Sequence, residues 1–331
     1  MIITRTPFRI SFFGGGTDYP DWFNKHTGSV LATSIDKYCS ISCRHLPPFF
    51  SHKHRIVYSK IETVCDISEI EHPAVKATLD WANIKSGLEI HHDGDLPARS
   101  GLGSSSSFTV GLVNALKALE GKLISKLDLA NYAIHIEQNI IIENVGSQDQ
   151  VTAAYGGFNR IDFHRDSSFS VEPIIVKPSR IDELQNHLML FFTGISRVAS
   201  EVAKSKIENI KNKESELKKI KKMVDDAICI LQDKSIKILE FGKLLDESWQ
   251  LKRNLSEKVS TKEVDNIYFE AKKAGAIGGK LLGAGGGGFF LIFAKPEFQE
   301  NILRALKKYV YVPFRFENSG SRVVLYQPDG F

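Results

Sequence analysis

Residues 99–111, RSGLGSSSSFTVG, place three glycines and four consecutive serines directly ahead of an apolar segment. Side chains this small leave backbone N–H groups free to turn toward an anion, so the stretch reads as a phosphate cradle. The apolar residues that follow, Phe108, Leu112, Leu116 and Leu119, recur at helical spacing until Gly121 stops them. The lysine that a Walker loop carries after its last glycine is missing. Something else must complete the site.

The 331 residues are enough for one large or two medium domains with a substantial core. With 42% apolar and 25% charged residues, the composition is that of an ordinary globular protein. A net charge of +4 is too mild to argue for a nucleic-acid or membrane partner. Cys39, Cys43, Cys65 and Cys229 form no C-x-x-C pair and no disulfide framework. Cys39 and Cys43 share one face of an expected strand, where packing is their expected role. The opening MIITRTPFRISFFGGG lacks the basic head and cleavage site of a signal peptide. No apolar run reaches the ~20 residues needed to span a bilayer. The expectation is a protein of the reducing cytoplasm, with no membrane and no nucleic acid among its partners.

β-type patterning comes first. Residues 2–13 alternate, with Phe8, Ile10 and Phe12 on one face and Arg5, Arg9 and Ser11 on the other. SVLATSIDKYCSISCRHL and GLEIHHDGDL also read as strands. Ser125 and Asp128 open a further helix as a capping box. Its stripe runs Ala130, Ile134, Glu137, Ile141, so a glutamate interrupts an apolar face. HLMLFFTGIS reads as a strand, and a long helical stretch extends from there to about residue 275. Residues 204–222 hold eight lysines against three glutamates. An acidic-partner patch is one reading; a solvated helix face is the other, since Leu217, Ile220, Val224, Ile228 and Leu231 supply a buried stripe. The glycine-dense GGKLLGAGGGGFFLIFAK closes the pattern. A boundary near 175 divides the chain into 1–175 and 176–331.

Four residues carry the candidate chemistry. Arg9 sits on the polar face of the first strand; it suits a strand-edge salt bridge or a guanidinium fork aimed at an anion. Asp18, after three glycines, is placed either to bind substrate hydroxyls or to cap the helix DYPDWFN. Glu137 is the anomaly, because a buried carboxylate is costly unless paired, protonated or bound to a metal. Asp149 lies in the glycine-bounded NVGSQDQVTAAYGG, where a turn role is the ordinary alternative. His91, His92 and Asp93 alternate along a strand and cannot all converge on one ion, and PPFFSHKHR reads as an exposed loop.

Together these segments resemble the GHMP kinase superfamily over almost the whole chain. TPFRISFFGGGTDY corresponds to its first motif, LPARSGLGSSSSFTVG to its second and KLLGAGGGG to its third. HIEQN and GSQDQ fall where the family keeps a magnesium glutamate and a catalytic aspartate. The resemblance implies an α+β fold: a ribosomal protein S5 domain 2-like N-terminal domain, then a helical and ferredoxin-like C-terminal domain, with ATP between them. It implies that the loop from Pro97 through Arg99, Ser100, Gly101, Leu102 and Gly103 to Ser104, Ser105 and Ser106 wraps the nucleotide phosphates. Gly285 and Gly286 would support that loop. Backbone N–H groups and a positive helix end hold the anion, which accounts for the missing lysine. Ser104 or Ser105 would reach Mg²⁺ with Glu137, Asp149 would take the attacking hydroxyl's proton, and Arg9 would assist it.

FFGGGTDYPDWF, GSQDQ and FFTGISRVAS look most like the sugar 1-kinase branch that acts on a heptose phosphate for surface polysaccharide. Galactokinase-type members carry Glu-His where this chain has Gly15-Gly16. A fucose- or galactose-type 1-kinase and a non-catalytic sugar sensor stand as alternatives. Losing that pair opens room for a phosphorylated tail. The N–H groups of Gly14, Gly15, Gly16 and Thr17 form the expected seat for that phosphate, with Asp18 on the ring hydroxyls and Arg197 nearby. The oligomeric state is not encoded in any of these patterns.

Overall fold

The computed structural model describes residues 1–98, 100–195, 199–209 and 212–328. Arg99 and Arg197, both singled out in the sequence, lie outside the described residues.

β1 (Ile2–Phe13) forms as its alternation demands, with Phe8, Ile10 and Phe12 buried. It pairs antiparallel with β2 (Gly28–His45), whose 18 residues reach β5 (Leu88–Gly94) at one end and β6 (Phe158–Phe163) at the other. The hairpin of β3 (His54–Val57) and β4 (Ile61–Val64) adds to β5, and β7 (Phe169–Pro173) extends β6. A second, fully antiparallel sheet holds β8 (Leu188–Phe192), β9 (Ala276–Leu281), β10 (Phe289–Ala294) and β11 (Val310–Tyr311) in the order β11-β8-β10-β9. β10 reads FFLIFA and is buried at every residue, the pattern of a strand covered on both faces. The chain then returns to the first sheet, where β12 (Phe316–Glu317) pairs with β2 and β13 (Arg322–Tyr326) with β1. The α+β expectation holds.

Helices α1 (Pro20–His26), α2 (Pro73–Trp81), α3 (Ser104–Leu119), α4 (Lys126–His135) and α5 (Gln148–Tyr155) accompany the first sheet. α3 lies across β1 and β2; at the crossing Thr4 Oγ1 donates to the Gly111 carbonyl at 2.9 Å. Ser125 caps α4 by accepting the Asp128 N–H at 3.0 Å. Later come α6 (Pro178–Asn186), α7 (Ala199–Asn209), α8 (Glu214–Gln232), α9 (Leu239–Arg253), α10 (Lys262–Lys273) and α11 (Pro296–Ala305). α9 carries Phe241, whose ring meets Phe12 edge-on at 5.5 Å and joins the two halves of the core. α8 buries Leu217, Ile220, Val224 and Leu231, while Lys218, Lys219 and Lys222 stand in solvent. Ion pairs Lys213–Glu216 and Lys218–Glu214 lace that outer face. No helix among the described residues is long and apolar enough to cross a membrane.

Cys39 and Cys43 are buried free thiols in β2. His91 bonds Glu89 at 2.9 Å, whereas His92 packs edge-on against Phe108 at 5.0 Å, so the two rings serve different neighbours. The loop expected to be exposed has one buried member. His54 begins β3, and its Nδ1 accepts the Leu88 N–H at 3.3 Å.

Candidate active site

A cavity of about 220 Å³ opens where β1, the start of α3 and the start of α5 face β9, α8 and α9. The glycine-serine loop forms part of its wall and is held from both sides. Arg9 N–H donates to Leu102 O at 3.0 Å, and Phe289 N–H donates to Ser100 O at 3.0 Å. The glycine-rich turn before β10 presses directly on the loop: a Cβ on Gly283 would lie 2.4 Å from Gly101 Cα. Only glycine admits that approach. Gly103, at φ 75°, then starts α3, whose first N–H groups have no partner within the helix.

The nucleotide-binding expectations separate into two groups. Gly101, Gly103, Ser104, Ser105 and Ser106 line the cavity. Ser100 and Leu102 are buried beneath the loop, and Pro97 is exposed away from the cavity lining. Gly285 and Gly286 lie on Val259, with Gly286 N–H on its carbonyl at 2.9 Å; Gly283 and Ala284 form the cavity wall from that motif.

Arg9 and Asp149, 140 residues apart, form a two-pronged pair. Arg9 Nε meets Oδ1 and Nη2 meets Oδ2, both at 2.8 Å, while Nη1 donates to Gly101 O at 2.7 Å. Arg9 is buried, whereas the Asp149 side chain keeps 25% of its exposure. A planar fork clamped at both ends fixes the carboxylate's orientation. Asp149 stands in the first turn of α5, where the helix dipole favours a negative charge.

Glu137 is buried in a single π-helical turn, Ile136–Ile140, that continues α4; Ile141 N–H reaches Ile136 O at 2.9 Å. Glu137 follows the buried Ala130 and Ala133 at helical spacing, so the stripe itself carries the carboxylate inward. One oxygen accepts from Ser106 Oγ at 2.8 Å and from the Gln150 amide; the other has no partner. Burial pushes the carboxyl pKa up to about 7. The hydroxyl touching Glu137 belongs to Ser106, not to the exposed Ser105 next to it.

Asp18 is no helix cap. The N-cap position of α1 is Tyr19, without a side-chain cap, and Asp18 turns inward, 2% exposed, with Oδ1 on the Gly16 N–H at 2.8 Å. Its other face is held by Gly146, where a Cβ would lie 1.9 Å from Asp18 Oδ2. Gly146→Ala is therefore expected to displace the Asp18 carboxylate and to lower kcat/KM for the acceptor by about 10²-fold, the cost of a ~1 Å misplacement. Steady-state kinetics beside a melting curve checks this; unchanged kinetics would detach Asp18 from the chemistry.

The seat expected from the N–H groups of Gly14 to Thr17 is not formed as such. Gly16 N–H is used by Asp18 and Thr17 N–H by Gly14 O at 3.0 Å, while buried Thr17 spends its hydroxyl on Gly14 O and Ser29 O. Gly14 packs on Ser29, and only Gly15 and Gly16 of the four reach the cavity. Sequence patterning missed other members of the wall. Ser11, Tyr19, Glu143, Gln148, Lys252 and Lys280 all line it. Lys252 Nζ donates to Leu281 O and Gly283 O at 2.7 Å, and Lys280 Nζ to Phe12 O at 2.6 Å. Burial, then the neighbouring Asp18 and Asp149, push the Tyr19 phenol up. The lysines belong to helical and strand patterns that read locally as surface and edge, so only the tertiary fold brings them here.

Comparison with known proteins agrees with this geometry. Residues 69–157 match the GHMP kinases N-terminal domain and residues 234–312 the GHMP kinases C-terminal domain. The D-glycero-alpha-D-manno-heptose 7-phosphate kinase of Campylobacter jejuni is 30% identical over 324 residues, 93% of each chain. A bifunctional fucokinase/GDP-fucose pyrophosphorylase of Arabidopsis thaliana is 28% identical over 330 residues, 90% of this chain and 30% of that one. A crystal structure described as a D-glycero-D-manno-heptose 1-phosphate kinase from Bacteroides thetaiotaomicron superposes with a TM-score of 0.80 over 98% of both chains, at 23% identity. With both domains matched and an identity that runs end to end, the chain belongs to the GHMP kinases, ATP-dependent phosphotransferases.

Proposed function

We propose that the chain phosphorylates the anomeric hydroxyl of a sugar phosphate, D-glycero-D-manno-heptose 7-phosphate, to give the 1,7-bisphosphate used for surface-polysaccharide heptose. The observation that carries this reading is the 30% identity, over 93% of both chains, with a heptose 7-phosphate kinase. The Gly15-Gly16 wall of the cavity supports it, since two residues without side chains leave room for a phosphorylated tail.

In this reading the N–H groups at the start of α3 and the serines Ser104 to Ser106 receive the nucleotide phosphates. Asp18 accepts from ring hydroxyls, held for that task by Gly16 and Gly146. Asp149 accepts the proton of the attacking hydroxyl, and Arg9 keeps both carboxylate oxygens in register with the loop through Gly101. Phosphoryl transfer depends mostly on such positioning and on charge neutralisation. Mg²⁺ fits the residues present: Glu137 has a buried oxygen without a hydrogen-bond partner, and Ser106, which bonds its other oxygen, lines the cavity. When bound, the ion supplies charge neutralisation between nucleotide phosphates.

A coupled assay for ADP release over free and phosphorylated hexoses and heptoses tests the reading. Heptose 7-phosphate is expected to give the highest kcat/KM, and a preference for unphosphorylated fucose or galactose would overturn it.

A further inference from the structure

Two polar side chains in the cavity wall have oxygen atoms with nothing to bond. Ser11 Oγ and Gln148 Oε1 are both buried and without a hydrogen-bond partner, and both residues line the cavity. Buried polar atoms in native proteins are nearly always paired, so two orphans on one wall call for an explanation.

Their placement repeats that of the Arg9–Asp149 pair. Ser11 follows Arg9 by two residues along β1 and therefore projects from the same face. Gln148 immediately precedes Asp149 and opens α5. Strand and helix thus face each other twice: once through a closed guanidinium–carboxylate pair, and once through a hydroxyl and a carboxamide left open. Between these two lies the space that Gly15 leaves bare, for a carbon there would stand 3.6 Å from Ser11 Oγ and 3.7 Å from Gln148 Nε2. A ligand oxygen set slightly deeper comes within hydrogen-bond reach of both.

We propose that Ser11 and Gln148 bind the C2 hydroxyl of the sugar, the neighbour of the hydroxyl that Asp149 deprotonates. A hydroxyl both donates and accepts, as do Ser11 and the carboxamide, so one sugar hydroxyl pairs with Ser11 Oγ and with the carboxamide, whose Nε2 is its atom nearest that space. A site built this way discriminates strongly against an analogue lacking the group, because its buried polar atoms are then left unpaired. This assignment rests on the sugar-kinase reading above and adds the two residues that select the substrate's C2 substituent.

The test is a cycle of two variants against two substrates. Wild type, Ser11→Ala and Gln148→Leu are assayed by ADP release with D-glycero-D-manno-heptose 7-phosphate and with its 2-deoxy analogue. Wild type is expected to lose at least ~30-fold in kcat/KM on the deoxy compound. In each variant that penalty should shrink to about 5-fold, since one of the two partners is already gone. Ser11→Ala removes one atom, so it keeps the fold even if Gln148→Leu disturbs α5. A deoxy penalty unchanged in Ser11→Ala overturns the assignment while leaving the kinase reading intact. If heptose 7-phosphate is not turned over, the heptose reading falls, and the same cycle is run on the sugar with the highest turnover and its 2-deoxy form. An enzyme that turns over no sugar overturns both.

Discussion

Asp149→Asn is expected to lower kcat by about 10²–10⁴, the range associated with losing a general base, while KM for ATP stays within ~2-fold. The substitution keeps the shape and one acceptor oxygen for Arg9, so the clamp from β1 to α5 survives in part. What goes is the carboxylate proposed to receive the proton. Because Arg9 is buried, some loss of stability accompanies the change, and a melting curve separates that from the kinetic effect. Full turnover with only a lowered Tm would reduce Asp149 to an anchor for Arg9.

Glu137→Gln is expected to raise the Mg²⁺ concentration needed for half-maximal activity by at least ~10-fold and to abolish the Mg²⁺-dependent gain in Tm. The metal-free protein provides an independent readout. Burial raises the folded-state pKa of Glu137 to about 7, above the 4.5 of an ordinary glutamate. Between those values the folded chain binds more protons than the unfolded chain, so stability falls as pH rises through that window and levels off above it. The whole effect is at most ~3 kcal/mol, enough to lower Tm by several degrees between about pH 5 and about pH 8. In Glu137→Gln that part of the slope should vanish. A pH slope identical to wild type would contradict the raised pKa, and unaltered Mg²⁺ dependence would remove Glu137 from the metal site.

The elements that can be read from the sequence are those whose cause is local. β1 is legible because Phe8, Ile10 and Phe12 alternate, and α3 because its apolar residues keep helical spacing after a run of small ones. Glu137 is legible as an anomaly because it breaks a stripe. The π-helical turn that holds it has no periodic signature and becomes evident only in three dimensions. Ser105 and Ser106 are equivalent in sequence, and a helical step of about 100° decides which of them meets Glu137. In the Gly14–Thr17 seat two N–H groups are taken for a similar reason: Asp18, two residues on from Gly16, accepts one, and Gly14 O accepts that of Thr17. Lys252, Lys280, Ser11 and Gln148 reach the cavity through contacts between distant elements. Gly146 had a signal, a glycine beside a candidate aspartate, but its contact with Asp18 spans more than a hundred residues.

The central claim is transfer of a phosphoryl group from ATP to the anomeric oxygen of a sugar phosphate. ³¹P NMR with proton coupling, on the product formed from D-glycero-D-manno-heptose 7-phosphate and ATP, tests it most directly. Stoichiometric ADP and a new phosphorus signal coupled to the anomeric proton are expected, with the original phosphate ester retained. A new phosphate on any other carbon, or none formed while a different acceptor is consumed, would contradict it.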